Sequence, residues 1–151
     1  MNVLKAPFNT RYETAPFSKI RNIDFIPAFE KVIAEAKKSI DIISSNPSSP
    51  NFENTIEALE FSSLFLEQIS SIFFNLNAAE TNDEIQKIAQ EISPKLTSFS
   101  NDITLNENLF FRIRKIYESN SKSELTTEQK TLLEKKYKNF LRNGANLNSS
   151  E

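Results

Sequence analysis

Apolar side chains recur every three or four residues along almost the whole chain after residue 23. This spacing places them on one face of an α-helix. The stretches that show it, and that are predicted to be helical, are 24–44, 53–79, 81–103, 107–119 and 126–142. The pattern predicts an all-α fold, with about five helices in an antiparallel and partly irregular bundle.

The first 22 residues lack this periodicity. Two prolines interrupt the segment, and three aromatic side chains accompany them: Phe8, Tyr12 and Phe17. Because proline disfavours helix at and before its own position, the segment is predicted to be an extended arm whose aromatic rings cover a groove. The predicted organisation is therefore an arm over 1–22 and a helical domain over 23–151.

Short polar signals mark where the predicted helices begin. Asp24 is a suitable N-cap for the first helix, because its carboxylate can accept hydrogen bonds from free backbone N–H groups. Thr81 with Glu84, and Thr126 with Gln129, have the spacing of a capping box, in which each side chain accepts a hydrogen bond from the other residue's backbone. The third and fifth helices are therefore expected to begin there.

Two further residues are expected to shape the third and fifth helices. Pro94 lies within the apolar stripe of the third helix, which keeps its phase on both sides. Since proline has no backbone N–H to donate, a kink near Glu91 is expected rather than a break. Gly144 follows the fifth helix, where glycine can adopt the left-handed conformation of a C-terminal cap.

The second predicted helix, 53–79, is apolar on two faces. Its second face is formed by Phe61, Phe65 and Ile72, with Phe74 nearby. Because such a helix needs cover from two directions, it is expected to contact more protein than this chain supplies. The isolated chain is expected to expose an apolar patch around Phe61, Phe65 and Ile72, and to self-associate there or pack loosely.

The composition of the 151 residues excludes several classes of chemistry. The chain has no His, Cys or Trp, and Gly144 is its only glycine. Without His or Cys there is no thiolate nucleophile, no Ser-His pair and no zinc site of His and Cys ligands. Without a glycine-rich loop there is no phosphate-binding or dinucleotide-binding motif. No residue is predicted to be catalytic, to bind a cofactor or to ligate a metal.

Three patterns that resemble ligand sites have simpler structural explanations. Residues 81–84 carry oxygen ligands, but they lack the alternation and the glycine of a calcium-binding loop. Glu53, Glu57 and Glu60 share a helical face, as in di-iron bundles, but those bundles also need histidine. The thirteen phenylalanines lie at helical spacing, which is more typical of a core than of a ligand pocket.

Charge and hydropathy limit the expected partners. The formal net charge is −2, and Lys135, Lys136 and Lys138 are interleaved with Glu134, so no nucleic-acid partner is predicted. No apolar run approaches the roughly 20 residues of a membrane span and no signal peptide is evident, so no membrane partner is predicted. A soluble cytoplasmic protein is expected, although a mature periplasmic chain would have the same features.

Motifs along nearly the whole chain resemble those of one protein family. They include, in order, Phe8–Tyr12, Phe25–Glu30, Pro50–Ile56, Thr81–Glu84 and Arg142–Leu147. Each alone is a cap, a stripe or a turn, but their order and spacing together are specific. By these motifs the chain resembles the N-terminal helical region of the zinc metallopeptidases that include peptidyl-dipeptidase Dcp, oligopeptidase A and thimet oligopeptidase. It is most similar to the bacterial peptidyl-dipeptidases.

The resemblance implies a non-catalytic domain of a much longer enzyme, forming part of the wall of a channel that admits short peptides. The family holds its zinc with an HExxH helix and a later glutamate, and the HExxH motif cannot be placed on a chain without histidine. Zinc is therefore expected only in a catalytic domain that follows this chain, and the rest of the polypeptide is the expected partner. The alternative is a stand-alone helical binding or regulatory module without peptidase activity.

Overall fold

The computed structural model describes residues 2–119 and 124–144, and most of these are helical. Three short 3-10 helices come first: Val3–Lys5, Phe17–Lys19 and Asn22–Asp24. A π-helical turn, Phe52–Glu57, leads directly into α2. The α-helices are α1 (Phe25–Ser44), α2 (Ala58–Phe61), α3 (Leu64–Ala79), α4 (Asp83–Thr104), α5 (Glu107–Glu118) and α6 (Thr127–Arg142). No strand occurs within the described ranges, and the predicted all-α class is confirmed.

Internal contacts divide the chain into two compact units. The first unit consists of Met1–Lys37 and Ser63–Ser98, and the second of Lys38–Ser62 and Phe99–Glu151. The N-terminal segment thus belongs to the first unit, and the predicted boundary after residue 22 stays a prediction.

The core of the first unit contains Phe73 of α3 at its centre. The Phe73 ring contacts the rings of Phe25 and Phe29 of α1 edge to face, with centroids 4.9 and 5.7 Å apart. This geometry adds to the stabilisation that comes from burying the three rings. Leu4 and Ile69 are also completely buried in this unit, so the N-terminal segment contributes to its core.

The N-terminal segment differs in part from the predicted extended arm. Phe8 is buried, but Tyr12 exposes 72% and Phe17 51% of their surfaces, so the prediction that all three rings cover a groove is wrong. Tyr12 lies in a tight turn closed by a backbone hydrogen bond that Glu13 donates. The guanidinium of Arg11 lies over the Tyr12 ring, 5.1 Å from its centroid. The turn therefore keeps the ring out of the core.

Helix α1 begins directly after Asp24, as predicted, but the Asp24 carboxylate bonds to a different partner. It accepts hydrogen bonds from the backbone N–H, Nε and Nη2 of Arg21, at 3.1, 3.1 and 2.9 Å. These hydrogen bonds hold the pKa of the buried Asp24 carboxyl below its usual value. The Asp24 carbonyl accepts a hydrogen bond from the Asn2 side chain at 2.7 Å, so this residue also connects the N-terminal segment to α1.

The second predicted helix, 53–79, is not continuous, and this prediction is wrong. It ends as α2 and resumes as α3 after two serines, and Ser63 has a non-helical backbone (φ −119°, ψ 3°). The Ser62 hydroxyl donates to the Leu59 carbonyl at 2.7 Å, and the Ser63 hydroxyl bonds the Glu67 carboxylate at 2.9 Å. Serine hydroxyls that bond nearby groups in this way compete with the helical pattern. Two serines in succession therefore permit the break.

The predicted apolar patch on this segment needs a correction. Phe61 exposes 64% of its surface, in agreement with the prediction, and Phe65 is half-buried. Ile72 exposes only 8%, because it belongs to the core of the first unit. The predicted patch of three residues therefore does not form as a set, and self-association stays a prediction.

Helix α4 does not begin with the predicted capping box of Thr81 and Glu84. Asn82 is the cap, because its side-chain oxygen accepts hydrogen bonds from the backbone N–H groups of Glu84 and Ile85, at 3.1 and 3.0 Å. The Glu84 carboxylate instead accepts a hydrogen bond from the Asn22 side chain at 2.7 Å. A short amide side chain one residue later therefore does the capping.

Pro94 lies inside α4, and the helix continues on both sides of it, as predicted. The hydroxyls of Ser93 and Thr97 donate to carbonyls one turn earlier, at 2.7 and 3.0 Å. Such hydrogen bonds often accompany a bend in a helix. The kink near Glu91 stays a prediction.

The core of the second unit contains a stack of four aromatic rings. Phe110 of α5 lies parallel to Tyr137 and Phe140 of α6, with centroids 5.8 and 6.0 Å apart, and Tyr117 lies parallel to Tyr137 at 4.0 Å. Around the stack pack buried aliphatic side chains from α1, the π-helical turn, α2, α5 and α6: Ile40, Ile43, Ile56, Leu59, Leu109, Ile113, Ile116 and Leu133. The stack thus joins α5 to α6.

Both ends of α6 match the prediction. Thr126 Oγ1 accepts a hydrogen bond from Gln129 N at 3.3 Å, and the Gln129 side chain accepts one from Thr126 N at 3.0 Å. Gly144 has a positive φ of 86°, and its N–H donates to the Leu141 carbonyl at 3.2 Å. Residues with a Cβ adopt this conformation at a cost, which explains the glycine. The rest of the motif Arg142–Leu147, after Gly144, lies outside the described residues.

Arg112 of α5 is a buried cation, with 4% of its surface exposed. Its Nη1 donates to the carbonyls of Asn46 and Ser48 at 2.6 and 3.1 Å, and its Nη2 to the side chains of Asn54 and Thr55 at 2.9 and 3.2 Å. Arg112 takes part in none of the ion pairs of the described residues, and its Nε has no hydrogen-bond partner. Arg112 therefore connects α5 to the segment between α1 and α2 through neutral oxygen atoms alone.

We expect Arg112→Lys to lower the free energy of unfolding by about 2 kcal/mol or more, because a single ammonium cannot reach all four oxygen acceptors and leaves some of them buried and unpaired. Urea unfolding followed by circular dichroism measures the change. Arg114→Lys, on the same helix but half-exposed, is the matched control and should shift stability by less than about 0.5 kcal/mol. Equal midpoints for the two variants would contradict the role assigned to Arg112.

We expect Asp24→Asn to lower stability by about 1–2 kcal/mol at neutral pH, because the hydrogen bonds from Arg21 lose their charged acceptor. The folded pKa of Asp24 lies below its unfolded value, so this contribution is fully present above about pH 4 and is lost as pH falls through the folded pKa. Parent and variant should therefore converge in acid. Asp41→Asn, on the exposed side of α1, is the control, and a pH-independent difference for Asp24→Asn would disprove the linkage.

Candidate functional site

The carboxylates considered as metal ligands from the sequence are separated in the structure or have structural roles. Glu60 forms an ion pair with Lys136 of α6, while Glu53 and Glu57 are exposed. In the segment 81–84, Asn82 caps α4. Within residues 2–119 and 124–144, no three His, Cys, Asp or Glu side chains lie close enough together to hold a metal ion.

An apolar groove in the first unit lies along the start of α1 and the first half of α4. Its apolar lining consists of Ile23, Ile26, Pro27 and Ile88. The carboxylate of Glu91 at its edge pairs with Lys95 at 3.0 Å, and Lys95 also pairs with Glu30 at 2.9 Å. The hydrogen bonds that the Lys95 ammonium donates to the carboxylates of Glu30 and Glu91 raise the pKa of Lys95. The ion pairs connect α1 to α4 beside the groove.

A second groove lies in the second unit, between α2 and the C-terminal half of α6. We call it the basic groove, and it is lined by Glu60 of α2 and by Leu132, Lys135, Lys136, Lys138, Asn139 and Arg142 of α6. Lys138 pairs with Glu134 at 2.6 Å, and Lys136 pairs with Glu60. The aromatic stack lies on the side of α6 that faces the core, and the groove lies on the other side of this helix.

The linings of the two grooves contain similar kinds of chemical group. Their linings contain carboxylates, ammonium groups, amides and apolar side chains, with no hydroxyl beside a base. Covalent and acid-base catalysis need a nucleophile or acid within hydrogen-bond reach of a partner that activates it. The described linings of the two grooves do not show a hydroxyl nucleophile beside such a partner.

Sequence reasoning missed Arg112 and the pairing within the basic groove. Arg112 lies three residues after Leu109 and one before Ile113, within the apolar stripe of α5, and this position was a usable signal. The pairing of Lys136 could not be predicted from α6 alone, because Glu60 lies far away in the sequence.

No helix among the described residues has the length and apolar character that a membrane-spanning helix needs.

Comparison with known proteins identifies relatives over almost the whole chain. The chain is 34% identical over 136 residues to dipeptidyl carboxypeptidase of Salmonella typhimurium, which is 90% of this chain and 20% of that protein. It is 35% identical over 147 residues to dipeptidyl carboxypeptidase of Escherichia coli K12, which is 97% of this chain and 22% of that protein. Oligopeptidase A of Salmonella typhimurium is 23% identical over 141 residues, 93% of this chain and 21% of that protein. No protein-family model matches.

These relatives confirm the resemblance found in the sequence motifs. The chain spans about a fifth of the length of the curated relatives it matches. Dipeptidyl carboxypeptidase is the more similar of the two kinds of relative, as the motifs predicted. The chain is therefore a homologue of part of the dipeptidyl carboxypeptidases and of oligopeptidase A.

Proposed function

We propose that this chain is the non-catalytic, helical N-terminal domain of a longer zinc-dependent oligopeptidase of the peptidyl-dipeptidase kind. The observation that carries the proposal is the alignment, which covers 97% of this chain but only 22% of dipeptidyl carboxypeptidase from Escherichia coli. A homologous segment of that extent, without histidine, fits one structural part of an enzyme whose reacting groups lie elsewhere.

In the proposed enzyme the zinc belongs to the catalytic part of the longer polypeptide. Bound there, it would polarise the scissile carbonyl and activate a water molecule. This chain supplies no ligand to it, and its contribution is a helical surface that forms part of the wall of the channel for short peptides. The proposed compartment is the cytoplasm, with the periplasm as the alternative.

The two hydrophobic cores support a wall function, because a wall that limits access has to keep its shape. Phe73 and Arg112 each fix several segments within their own unit. Large apolar side chains also remain exposed outside the cores, among them Phe61, Leu64, Leu105 and Phe111. Exposed apolar side chains of this size are typical of surfaces that other protein covers. The rest of the polypeptide is the proposed partner.

A chimera tests the proposal. In it, this chain replaces the aligned segment of Escherichia coli dipeptidyl carboxypeptidase. We expect the chimera to release dipeptides from short peptides in the presence of Zn²⁺, because the helical segment restores the wall that the catalytic part requires. An enzyme that simply lacks the segment should be inactive. Mass spectrometry of the released peptides measures both.

The control chimera carries an unrelated helical domain of similar length and should be as inactive as the deletion. Full activity of the deletion variant would show that the segment is dispensable and would refute the proposal. A natural gene product of about 17.3 kDa, rather than one several times heavier with an HExxH motif, would favour the stand-alone binding module instead.

The isolated chain is expected to self-associate through the exposed ring of Phe61, because no other protein covers it. Phe61→Ser should shift sedimentation towards the monomer, since it removes apolar surface without opening a cavity. Ile42→Ser, which also replaces an exposed apolar residue of the second unit, is the matched control. Identical sedimentation of the parent chain and Phe61→Ser would rule out this surface as the contact.

A further inference from the structure

The basic groove carries more positive charge than its own carboxylates neutralise. Its four cations are Lys135, Lys136, Lys138 and Arg142. Two of them are paired, Lys136 with Glu60 and Lys138 with Glu134. Lys135 and Arg142 take part in none of the ion pairs found among residues 2–119 and 124–144. The chain as a whole has a formal charge of −2, so this excess is local.

The two remaining cations lie on the same side of α6. They are seven residues apart, which is close to two turns and about 10 Å along the helix axis. Leu133 and Phe140 are buried on the opposite side of the helix, with 0% and 1% of their surfaces exposed. Lys135 and Arg142 are both exposed. The core therefore holds two unpaired charges at a fixed separation facing solvent.

This arrangement fits a protein segment with two carboxylates better than it fits a nucleic acid. Nucleic-acid binding depends on many cations that neutralise successive phosphates, and this groove has two to offer and already contains the carboxylate of Glu60. Leu132 and Asn139 add an apolar contact and an amide. Two carboxylates about 10 Å apart on one face occur three residues apart in a polyproline II segment or seven residues apart in a helix.

We propose that the basic groove docks a carboxylate-bearing segment from the rest of the longer polypeptide, and this rests on the proposed function. Exposed ion pairs each contribute little free energy, so they bind an untethered segment only weakly. A segment of the same polypeptide needs less binding free energy to stay in place, because covalent connection gives it an effective concentration in the millimolar range. The relatives are more than four times as long as this chain, so they have ample polypeptide to supply such a segment.

Cross-linking of the chimera with a water-soluble carbodiimide tests the proposal. The reagent joins a lysine Nζ to a carboxylate as an amide, with loss of water, when the two groups are in contact. We expect peptide mass spectrometry to find Lys135 linked to an Asp or Glu outside this chain. Lys135→Gln should remove that linked peptide. A Lys135 linked only to Glu134, or to nothing, in a folded chimera would overturn the proposal.

A binding measurement on the 151-residue chain decides the case where the chimera does not fold. The probe is a fluorescent 12-residue peptide with glutamates three residues apart, titrated into the millimolar range that covalent connection would supply. Lys135→Gln with Arg142→Gln should weaken its binding between about twofold and thirtyfold, and high salt should remove the difference. Lys19→Gln with Lys38→Gln makes the same charge change at exposed lysines elsewhere and should leave binding unchanged.

The remaining outcomes separate this proposal from the proposed function. Absence of peptide binding, or an equal loss in both double variants, would overturn the groove as a docking site. The same variants are also tested with a single-stranded oligonucleotide. If Lys135→Gln with Arg142→Gln lowers binding of the oligonucleotide more than binding of the peptide, the ligand of the groove is a nucleic acid and not a protein segment. A folded chimera that is inactive but carries the Lys135 cross-link would keep the groove while refuting the peptidase role.

Discussion

The second unit depends on the burial of one guanidinium. Removing a cation from water costs several kcal/mol, and Arg112 has no carboxylate among its hydrogen-bond partners to offset this. Its donors instead satisfy oxygen atoms of the segment between α1 and α2, where two prolines prevent a regular helix. The Nη groups of Arg112 and the oxygen atoms of this segment therefore serve as each other's hydrogen-bond partners. Through this contact Arg112 fixes the start of the π-helical turn and of α2, the helix that brings Glu60 to the basic groove.

Helical periodicity predicted α1, α5 and α6 to within a residue or two, because burial of an apolar stripe determines those helices. The sequence was less informative where local side-chain hydrogen bonds compete. The break at Ser62 and Ser63, and the choice of Asn82 over Thr81 as a cap, depend on alternatives that differ by about 1 kcal/mol. A pattern of apolar and polar residues does not resolve differences that small. Tyr12 was misplaced for a related reason, since it lies in a tight turn, and Phe17 is exposed at the start of a short 3-10 helix.

The basic groove also has features that the sequence shows and features that depend on the fold. The cluster of lysines in α6 is visible in the sequence, where interleaved Glu134 makes it appear neutralised. The structure assigns that glutamate to Lys138 and a distant one, Glu60, to Lys136. Which cations stay unpaired thus depends on a tertiary contact between α2 and α6. Net charge and residue spacing cannot supply that information.

The same unit also exposes an aromatic ring directly beside a groove residue in the sequence, since Phe61 follows Glu60 in α2. Protein interfaces commonly combine an apolar centre, which supplies most of the free energy, with polar groups that select the partner. In this chain the exposed Phe61 can supply the apolar contact, and Lys135 with Arg142 can supply the charges that select the partner. A catalytic surface would need groups that activate one another, whereas an interface needs only shape, apolar area and complementary charge. The residues that the two cores leave exposed meet the second requirement, and this supports the proposed role of the chain as a structural part of a larger peptidase.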